Sequence, residues 1–292
     1  MRIQIGFDIG GTFIKAGIVD DQLNVLVEIG RNFPGMENKD QVPAVIEDMV
    51  AEMLRQTGFQ REDVRSMGIA VPGSLDKNNE TVIHAYNLGF EQYPLKKLIA
   101  ERFHEIPIFL VNDGNAATLG ELHKGALSGC KTGVLITLGT GVGGGLILDG
   151  KLFNGGMGQG VEPGHMRLVH QGLLCTCGNY GCVETVCSAA FFKSRGFEPK
   201  QLIDQAKAGD QAALKIFQEY LDYLSDALVS IAMLLDPEVI AVGGGISQAG
   251  NFLFTPLKKL VEEKSFFKYP HRIVPAKLGN KAGFIGASLL GP

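Results

Sequence analysis

The chain has 292 residues, of which 45% are hydrophobic and 20% charged, so it can bury a substantial core and is not disordered. Its formal net charge is −4 and it has no basic run, which argues against nucleic acid as a partner. Because its apolar stretches fall short of the ~20 residues of a membrane-spanning helix, we predict a cytoplasmic protein without a membrane partner.

The first predicted element is a hairpin of two strands over residues 3–19. An apolar run ends at Asp8, the chain turns on Gly10-Gly11-Thr12, and a second apolar run follows. Glycine lets a backbone approach a ligand closely and present N–H groups, so this turn suits a phosphate. Asp8 can then hold the accompanying magnesium ion, directly or through water. On these residues alone, a hairpin with a flexible turn explains the pattern equally well.

The remainder of the first half alternates strands and helices. Apolar periodicity predicts strands at 25–29, 67–71 and 108–111 and helices at 41–55, 93–103 and 116–127. The strand at 67–71 ends in Pro72-Gly73-Ser74, where the chain must turn. These segments form one α/β unit.

Asp113 follows the predicted strand 108–111, at the carboxyl end where open α/β sheets bind ligands. A carboxylate there can accept the proton of a substrate hydroxyl while a phosphoryl group is transferred to it. Alternatively, Asn112 and Asp113 simply cap the helix that follows. The residues alone favour the cap, whereas two phosphate-type turns elsewhere in the chain favour the catalytic interpretation.

Residues 135–152 repeat the plan of the first hairpin, with a turn at Gly139-Thr140-Gly141. At this spacing Gly10 falls on Gly139, and Asp8 falls on Thr137. The repeat predicts a duplicated unit whose two halves can close on one nucleotide. Only the first copy keeps the carboxylate, which suits a single metal ion.

One histidine and three cysteines form the most specific pattern: His165, Cys175, Cys177 and Cys182. This closed set of four ligands is typical of structural zinc and leaves no open position for zinc catalysis. The alternative, unrelated residues or buried thiols, is disfavoured by the clustering. Cys130 and Cys187 lie outside the pattern and are predicted to be core residues.

Two carboxylates, Glu162 and Glu184, flank the cysteine cluster. Carboxylates held beside a rigid loop can accept hydrogen bonds from the hydroxyls of a polyol, and His165 can turn its second nitrogen toward the same ligand. The alternative for each glutamate is a solvated loop residue. Because the two glutamates lie on either side of a zinc loop, the interpretation as ligand-binding residues is favoured.

The second half continues with an irregular insertion at 154–179, and then helices and strands alternate. We predict a helix over 210–235 capped by Asp210, a strand at 239–242 ending in Gly243-Gly244-Gly245, a helix at 251–263, a strand at 273–276 and a helix at 282–290. This order predicts an α/β fold with helices on both faces of mixed sheets.

With these motifs in view, the chain resembles the ROK family (repressor, open reading frame, kinase) of the hexokinase, actin and heat-shock ATPase superfamily. The motifs that carry the resemblance run nearly from end to end: FDIGGTFIKAG, GIAVPGSLD, AYNLGF, VNDGNAATLGE, TLGTGVGGG, EPGH, CTCGNYGCVET, VGGGIS and LGNKAGFIGAS. The resemblance implies two ribonuclease-H-like (actin-like ATPase) domains with an interdomain cleft. We place a smaller domain at 1–114 plus 276–292 and a larger domain with the zinc loop at 115–275.

The resemblance also implies an activity: ATP- and Mg²⁺-dependent phosphorylation of a hexose at its 6-hydroxyl by a homodimeric sugar kinase that contains structural Zn²⁺. Asp113 matches the general base, and the other sugar-binding positions are Gly73, Asn87, Asn112, Glu162, His165 and Glu184. The positions on the nucleotide side are Asp8, Gly10, Gly11, Thr12, Lys15, Gly139, Thr140, Gly141 and Gly244. The zinc ligands are His165, Cys175, Cys177 and Cys182.

The chain departs from the common family pattern at Gly114, where alanine is usual, and at Val161 and Pro163 on either side of Glu162. Val161 and Pro163 stiffen the backbone there and can reposition the carboxylate. The second half looks most like the family's glucokinases, so glucose is the first expectation. Kinases for allose, N-acetylmannosamine, fructose and β-glucosides share the same frame.

Two further classes are disfavoured. A transcriptional regulator of the family carries a DNA-binding helix-turn-helix ahead of the kinase-like region, whereas here the phosphate hairpin begins by Ile3 and the net charge is acidic. A heat-shock-type ATPase has no counterpart to the zinc loop.

Overall fold

The computed structural model describes residues 2–33, 39–267 and 272–291. The elements of the first half, in chain order, are β1 (Ile3–Ile9), β2 (Phe13–Val19), β3 (Val25–Asn32), α1 (Val42–Thr57), β4 (Val64–Val71), β5 (Ser74–Leu75), β6 (Val82–Ala85), β7 (Phe90–Tyr93), α2 (Leu95–Ala100), β8 (Ile108–Asn112) and α3 (Asp113–Lys124).

The second half continues in the same order along the chain. Its elements are β9 (Gly133–Leu138), β10 (Val142–Leu148), β11 (Lys151–Phe153), α4 (Val183–Cys187), α5 (Ala189–Lys193), α6 (Pro199–Lys207), α7 (Gln211–Leu235), β12 (Val239–Gly243), α8 (Asn251–Lys264), β13 (Arg272–Pro275) and α9 (Ala282–Ser288). Among the described residues, none of these helices combines the length and the apolar character that crossing a bilayer requires.

The chain forms two compact units. Unit 1 comprises Met1–Lys124, Asn154–Gly160 and Asn280–Pro292, and unit 2 comprises Gly125–Phe153 and Val161–Gly279. This division differs from the domain boundaries expected at 114/115 and 275/276, because α3 belongs to unit 1. There it packs on α9, where Gly286 lies so close to the backbone of Ala116 that no side chain would fit.

Unit 1 is built on a five-stranded sheet with the order β3-β2-β1-β4-β8. β1 pairs antiparallel with β2 and parallel with β4, and β4 pairs parallel with β8. Alternate residues of β1 face opposite sides of the sheet. Phe7 belongs to the apolar core that includes Ile46 and Met49 of α1, whereas Gly6 lies against the backbone of Phe284 in α9. Helices therefore cover both faces, as predicted.

Unit 2 repeats this plan with the order β11-β10-β9-β12-β13. β9 and β10 form an antiparallel hairpin, and β12 pairs parallel with both β9 and β13. The second strands of the two hairpins, Phe13–Val19 and Val142–Leu148, start and end 129 residues apart. Because sheet order and strand directions match, the predicted duplication is confirmed.

Several local predictions were wrong. The helix predicted over 93–103 is shorter, because Phe90–Tyr93 is strand β7 and α2 begins only at Leu95. The small sheet β5-β6-β7 was not predicted, nor were α4, α5 and α6. The helix predicted to begin at residue 116 begins at Asp113, because Asn112 provides its cap.

Candidate active site and metal centre

The turn between β1 and β2 is tightly closed. Gly10 donates its N–H to the carbonyl of Phe13 at 2.9 Å, and the carbonyl of Thr12 accepts from the N–H of Phe33 at 2.9 Å. A Cβ at Gly11 would lie 2.9 Å from Cβ of Asn87. Gly11 is therefore glycine because the turn packs on Asn87, which brings a predicted nucleotide residue against a predicted sugar residue.

Asp8 lies directly across the β1–β2 hairpin from Lys15. Burial is the main cause that raises the pKa of the Asp8 carboxyl to about 6, the nearby Asp113 carboxylate raises it further, and Lys15 opposes both effects. On another side the carboxylate of Asp8 closely approaches Gly283, where a Cβ would overlap it. Asp8 and Asp113 thus form a pair of neighbouring carboxyl groups on which a cation would act favourably.

Asn112 and Asp113, at the end of β8, have different roles. The side-chain oxygen of Asn112 accepts the N–H of Asn115 at 3.1 Å and so caps α3. Its side-chain amide donates to the carbonyl of Gly73 at 3.0 Å. Gly73 has φ +88 and a Cβ there would overlap the carbonyl of His84, so this turn requires glycine. Because Asn112 supplies the contact to Asn115, the carboxylate of Asp113 is not needed for it.

Asp113 is the first residue of α3, and it is surrounded by protein while part of its surface stays accessible. Its Oδ1 accepts the N–H of Gly114 at 2.8 Å. Desolvation by the surrounding protein raises the pKa of Asp113, and the Gly114 hydrogen bond opposes this rise. A carboxylate with a raised pKa is the better proton acceptor, as a general base requires.

The second glycine turn, between β9 and β10, is also fixed by backbone hydrogen bonds. Gly139 donates to the carbonyl of Gly141 at 3.0 Å, and its own carbonyl accepts from Ala189 at 2.8 Å. Thr140 is exposed at the tip. Gly244, at φ +84, lies against the backbone of Leu138, just before the turn. The structure therefore brings Gly244 to the turn, and its role toward a nucleotide stays a prediction.

Glu184 contacts this same turn from α4. Its Oε2 accepts the N–H of Val142 at 3.1 Å, and its Oε1 accepts the hydroxyl of Thr176 at 2.9 Å. Gly141 is glycine because a Cβ would occupy the place of Oε2. A carboxylate has about four lone-pair directions, so Glu184 retains capacity for a ligand hydroxyl.

The predicted metal ligands come together in unit 2: the ligand atoms of His165, Cys175, Cys177 and Cys182 all lie within 4.8 Å of one another. Sγ of Cys177 and Sγ of Cys182 are 3.7 Å apart, and Nδ1 of His165 is 3.6 Å from Sγ of Cys175. A tetrahedral centre with Zn–S bonds of about 2.3 Å and Zn–N bonds of about 2.0 Å requires separations of about 3.6–3.8 Å. The donor set and these spacings fit structural zinc.

Two of the departures from the family pattern, Val161 and Pro163, come just before the metal-ligand residue His165. Pro163 is buried at the start of a single 3₁₀ turn, Pro163–His165, and its ring packs over Gly144 of β10. Gly164 approaches the carbonyl of Val142 so closely that a side chain there would overlap it. Glu162, just before the turn, is exposed. Pro163 thus fixes the segment between Glu162 and His165 on β10 rather than loosening it.

Sequence reasoning missed Thr176 and Gly283. Thr176 lies between two metal ligands, and no spacing rule marks its hydroxyl as a partner of Glu184 eight residues later. Gly283 lies in the helix predicted at 282–290, and its role depends on the close approach of Asp8 in β1. Both roles arise from contacts between segments that are separate in the sequence, so the sequence pattern does not reveal them.

Comparison with known proteins gives consistent results. The sequence model of the ROK family matches residues 4–292. A glucokinase of Halalkalibacterium halodurans is 34% identical, with 99% of this chain and 94% of the relative covered. A glucokinase of Thermotoga maritima is 33% identical over 97% of this chain and 95% of its own length.

Among solved structures, a ROK family glucokinase from Streptomyces griseus, in complex with glucose and AMPPNP, superimposes with a TM-score of 0.86. It is 34% identical, and the alignment covers 99% of each chain. The similarity therefore extends over both units and includes the segment that carries the four metal-ligand residues.

Proposed function

The chain belongs to the ROK family, and from that premise we propose that it is a sugar kinase that transfers the γ-phosphoryl group of ATP to the 6-hydroxyl of a hexose, with glucose as the first candidate. The observation that carries the proposal is local to unit 1. Asp113 at the end of β8 and Asp8 at the end of β1 neighbour each other, and the glycine turn follows Asp8. Relatives with 33–34% identity over nearly the whole chain are glucokinases.

In the proposed mechanism Asp113 is the general base. Its carboxylate accepts the proton of the 6-hydroxyl while that oxygen forms a bond to the γ-phosphorus, and the bond from phosphorus to the β,γ-bridging oxygen of ATP breaks. The products are the sugar 6-phosphate, ADP and a proton on Asp113. Asn112 holds the β8 end in place through Gly73 and the α3 cap.

Asp8 is the residue of unit 1 that would hold Mg²⁺, directly or through water. Its fit to a cation rests on the buried position of Asp8 beside a second carboxyl group, Asp113, because a positive charge there would stabilise both carboxylates. When bound, Mg²⁺ neutralises the charge that develops on the phosphoryl oxygens. Lys15 opposite Asp8 adds a second positive charge at this end of the hairpin.

Unit 2 contributes a second phosphate turn at Gly139–Gly141, braced by Gly244, and a zinc-supported loop that presents sugar-binding groups. Glu162, Glu184 and the free nitrogen of His165 would accept or donate hydrogen bonds to sugar hydroxyls. Zinc bound to His165, Cys175, Cys177 and Cys182 would order the loop and supply no reaction step.

The alternatives are a kinase for allose, N-acetylmannosamine, fructose or a β-glucoside, and, less favoured, a sugar-sensing regulator. Glucose leads because the relatives with the higher identities are glucokinases. The regulator is disfavoured because Asp8 and Asp113 are both present and close together. Cytoplasmic location and a homodimer stay predictions from the sequence.

The test is an ADP-release assay with ATP and Mg²⁺ against a panel of aldoses, ketoses and N-acetyl sugars, with kcat/KM compared across the panel. We expect glucose to lead. Preference for another hexose would keep the kinase and change its substrate, whereas sugar binding without ADP release would favour the regulator. Product analysis by NMR of the phosphorylated sugar checks the position of transfer.

A further inference from the structure

Thr176 occupies the position between two predicted metal ligands, and its Oγ1 lies 3.8 Å from Sγ of Cys175 but closer to the carboxylate of Glu184. Its hydroxyl donates to Oε1 of Glu184 at 2.9 Å. The other oxygen of the same carboxylate, Oε2, accepts the N–H of Val142 at 3.1 Å. The Glu184 carboxylate therefore accepts hydrogen bonds from two segments of unit 2: from Thr176, and from Val142 at the start of β10.

The Cys175 thiol also donates to Oε1 of Glu184, at the longer distance of 3.6 Å. The Thr176 hydroxyl, at 2.9 Å, is therefore the closer of the two donors to Oε1.

We propose that Thr176 is a positioning residue that sets sugar affinity by orienting the carboxylate of Glu184. The inference rests on the proposed function, because it takes Glu184 as a sugar-binding group. Hydrogen bonds to charged groups are the stronger class and fix geometry as well as energy. Without the Thr176 hydroxyl, the Glu184 carboxylate keeps its hydrogen bond from Val142 but can adopt more orientations. Sugar binding must then order the carboxylate, and the entropy cost of that ordering weakens the affinity.

The test compares Thr176→Val, which removes the hydroxyl and keeps the shape, with Thr176→Ser, which keeps the hydroxyl. Thr132→Val serves as the matched control, since the contact given for Thr132 is made by its backbone carbonyl, with the N–H of Glu238. Three quantities are measured: the zinc content by mass spectrometry, the glucose Kd by calorimetry, and the kinetic constants for glucose and ATP.

For Thr176→Val we expect the glucose Kd and KM to rise about 10- to 150-fold, as for the loss of one hydrogen bond to a charged group. The kcat, the ATP KM and the zinc content should stay within about twofold of the wild type, because Thr176 is neither the proposed base nor one of the four metal-ligand residues. Thr176→Ser and Thr132→Val should behave like the wild type.

Three results would overturn the inference. Unchanged glucose affinity in Thr176→Val would show that the hydroxyl positions nothing that matters to the sugar. Equal losses in the valine and serine variants, or a loss of zinc with the loss of affinity, would assign Thr176 a structural role only. A wild-type protein that neither binds nor phosphorylates any sugar of the panel would instead overturn the proposed function itself.

Discussion

At the scale of single residues, the end of β8 separates two roles that the sequence alone could not distinguish. Asn112 takes the helix cap through its contact with Asn115, so the adjacent Asp113 is not needed for it. Both groups lie at the start of α3, where the helix dipole favours a negative charge. Desolvation nevertheless raises the pKa of Asp113, which suits a base that must also release its proton after each turnover.

Replacement of Asp113 by asparagine keeps the shape and removes the base. We expect kcat to fall by about 10²–10⁴-fold, while glucose binding measured by calorimetry and the zinc content remain close to those of the wild type. In the wild type, kcat should decline on the acid side at a higher pH than an ordinary aspartate would give, because the pKa of Asp113 is raised. Full activity of Asp113→Asn would remove Asp113 from the mechanism.

Asp8 makes stability depend on pH. Its pKa is about 6 in the folded protein against 3.8 for the free side chain, so between these values the folded state binds more protons than the unfolded state. Stability therefore falls as the pH rises from about 4 to 6, and the loss, no more than about 3 kcal/mol, persists above pH 6. Asp8→Asn should raise the Tm at pH 7.5 and change it little at pH 4.

The Asp8 experiment has two internal checks. The same variant should lose Mg²⁺-dependent activity, so that the gain in stability accompanies a loss of function. Asp204→Asn, an exposed position in α6, controls for the loss of one negative charge from the molecule. An equal gain at both pH values, or a loss at pH 7.5, would contradict the titration argument.

At the scale of elements, the glycine-rich hairpins were readable from sequence because an apolar run, a glycine turn and a second apolar run are all local features. The same holds for Asp210, which was predicted to cap α7 and accepts the N–H of Ala213 at 2.8 Å. The three-stranded sheet was missed because its strands are only two to four residues long. Tyr93 was assigned to a helix because nothing local reveals its pairing with Val82.

Gly244 and Gly245 form a matched pair for testing whether the contact of Gly244 with Leu138 supports the second glycine turn. Gly244 has φ +84 and lies against the backbone of Leu138, whereas Gly245 has φ −61 and faces open space. Gly244→Ala should cost about 1–3 kcal/mol of unfolding free energy and raise the KM for ATP, because the turn must shift. Thermal unfolding and steady-state kinetics measure both effects.

Gly245→Ala should leave the KM for ATP unchanged and leave stability equal or higher by up to about 1 kcal/mol, since alanine reduces the freedom of the unfolded chain. If both variants behave alike, the positive φ and the close contact at Gly244 do not govern the turn. If Gly244→Ala loses stability but keeps its ATP affinity, Gly244 supports the fold and not the nucleotide.

At the scale of the whole molecule, duplication of one unit explains why the two sheets have the same strand order. Differences between the two copies explain which candidate functional residues each unit carries. Each unit has its own apolar core, one around Phe7 and Met49 and the other around Phe191 and Tyr220. The sequence revealed this duplication because the repeat preserves spacing. It could not reveal that Glu184 contacts both the second turn and the cysteine loop, since that depends on three segments meeting in space. Among the differences between the copies, Asp8 in the first and the cluster His165, Cys175, Cys177 and Cys182 in the second are the ones with a chemical role in the proposed function.

Because each unit has its own core, removal of zinc should loosen one segment and spare the rest. The loop around the cluster exposes Leu173, Leu174 and Tyr180, so apolar burial contributes little to its order. A structural zinc site contributes on the order of 10 kcal/mol. We expect chelation, or Cys177→Ser, to accelerate hydrogen exchange by orders of magnitude over residues 165–182 and to leave the core strands of unit 1 protected. Cys130→Ser, outside the cluster, should keep zinc and protection; metal loss without faster exchange in the loop would contradict the structural role.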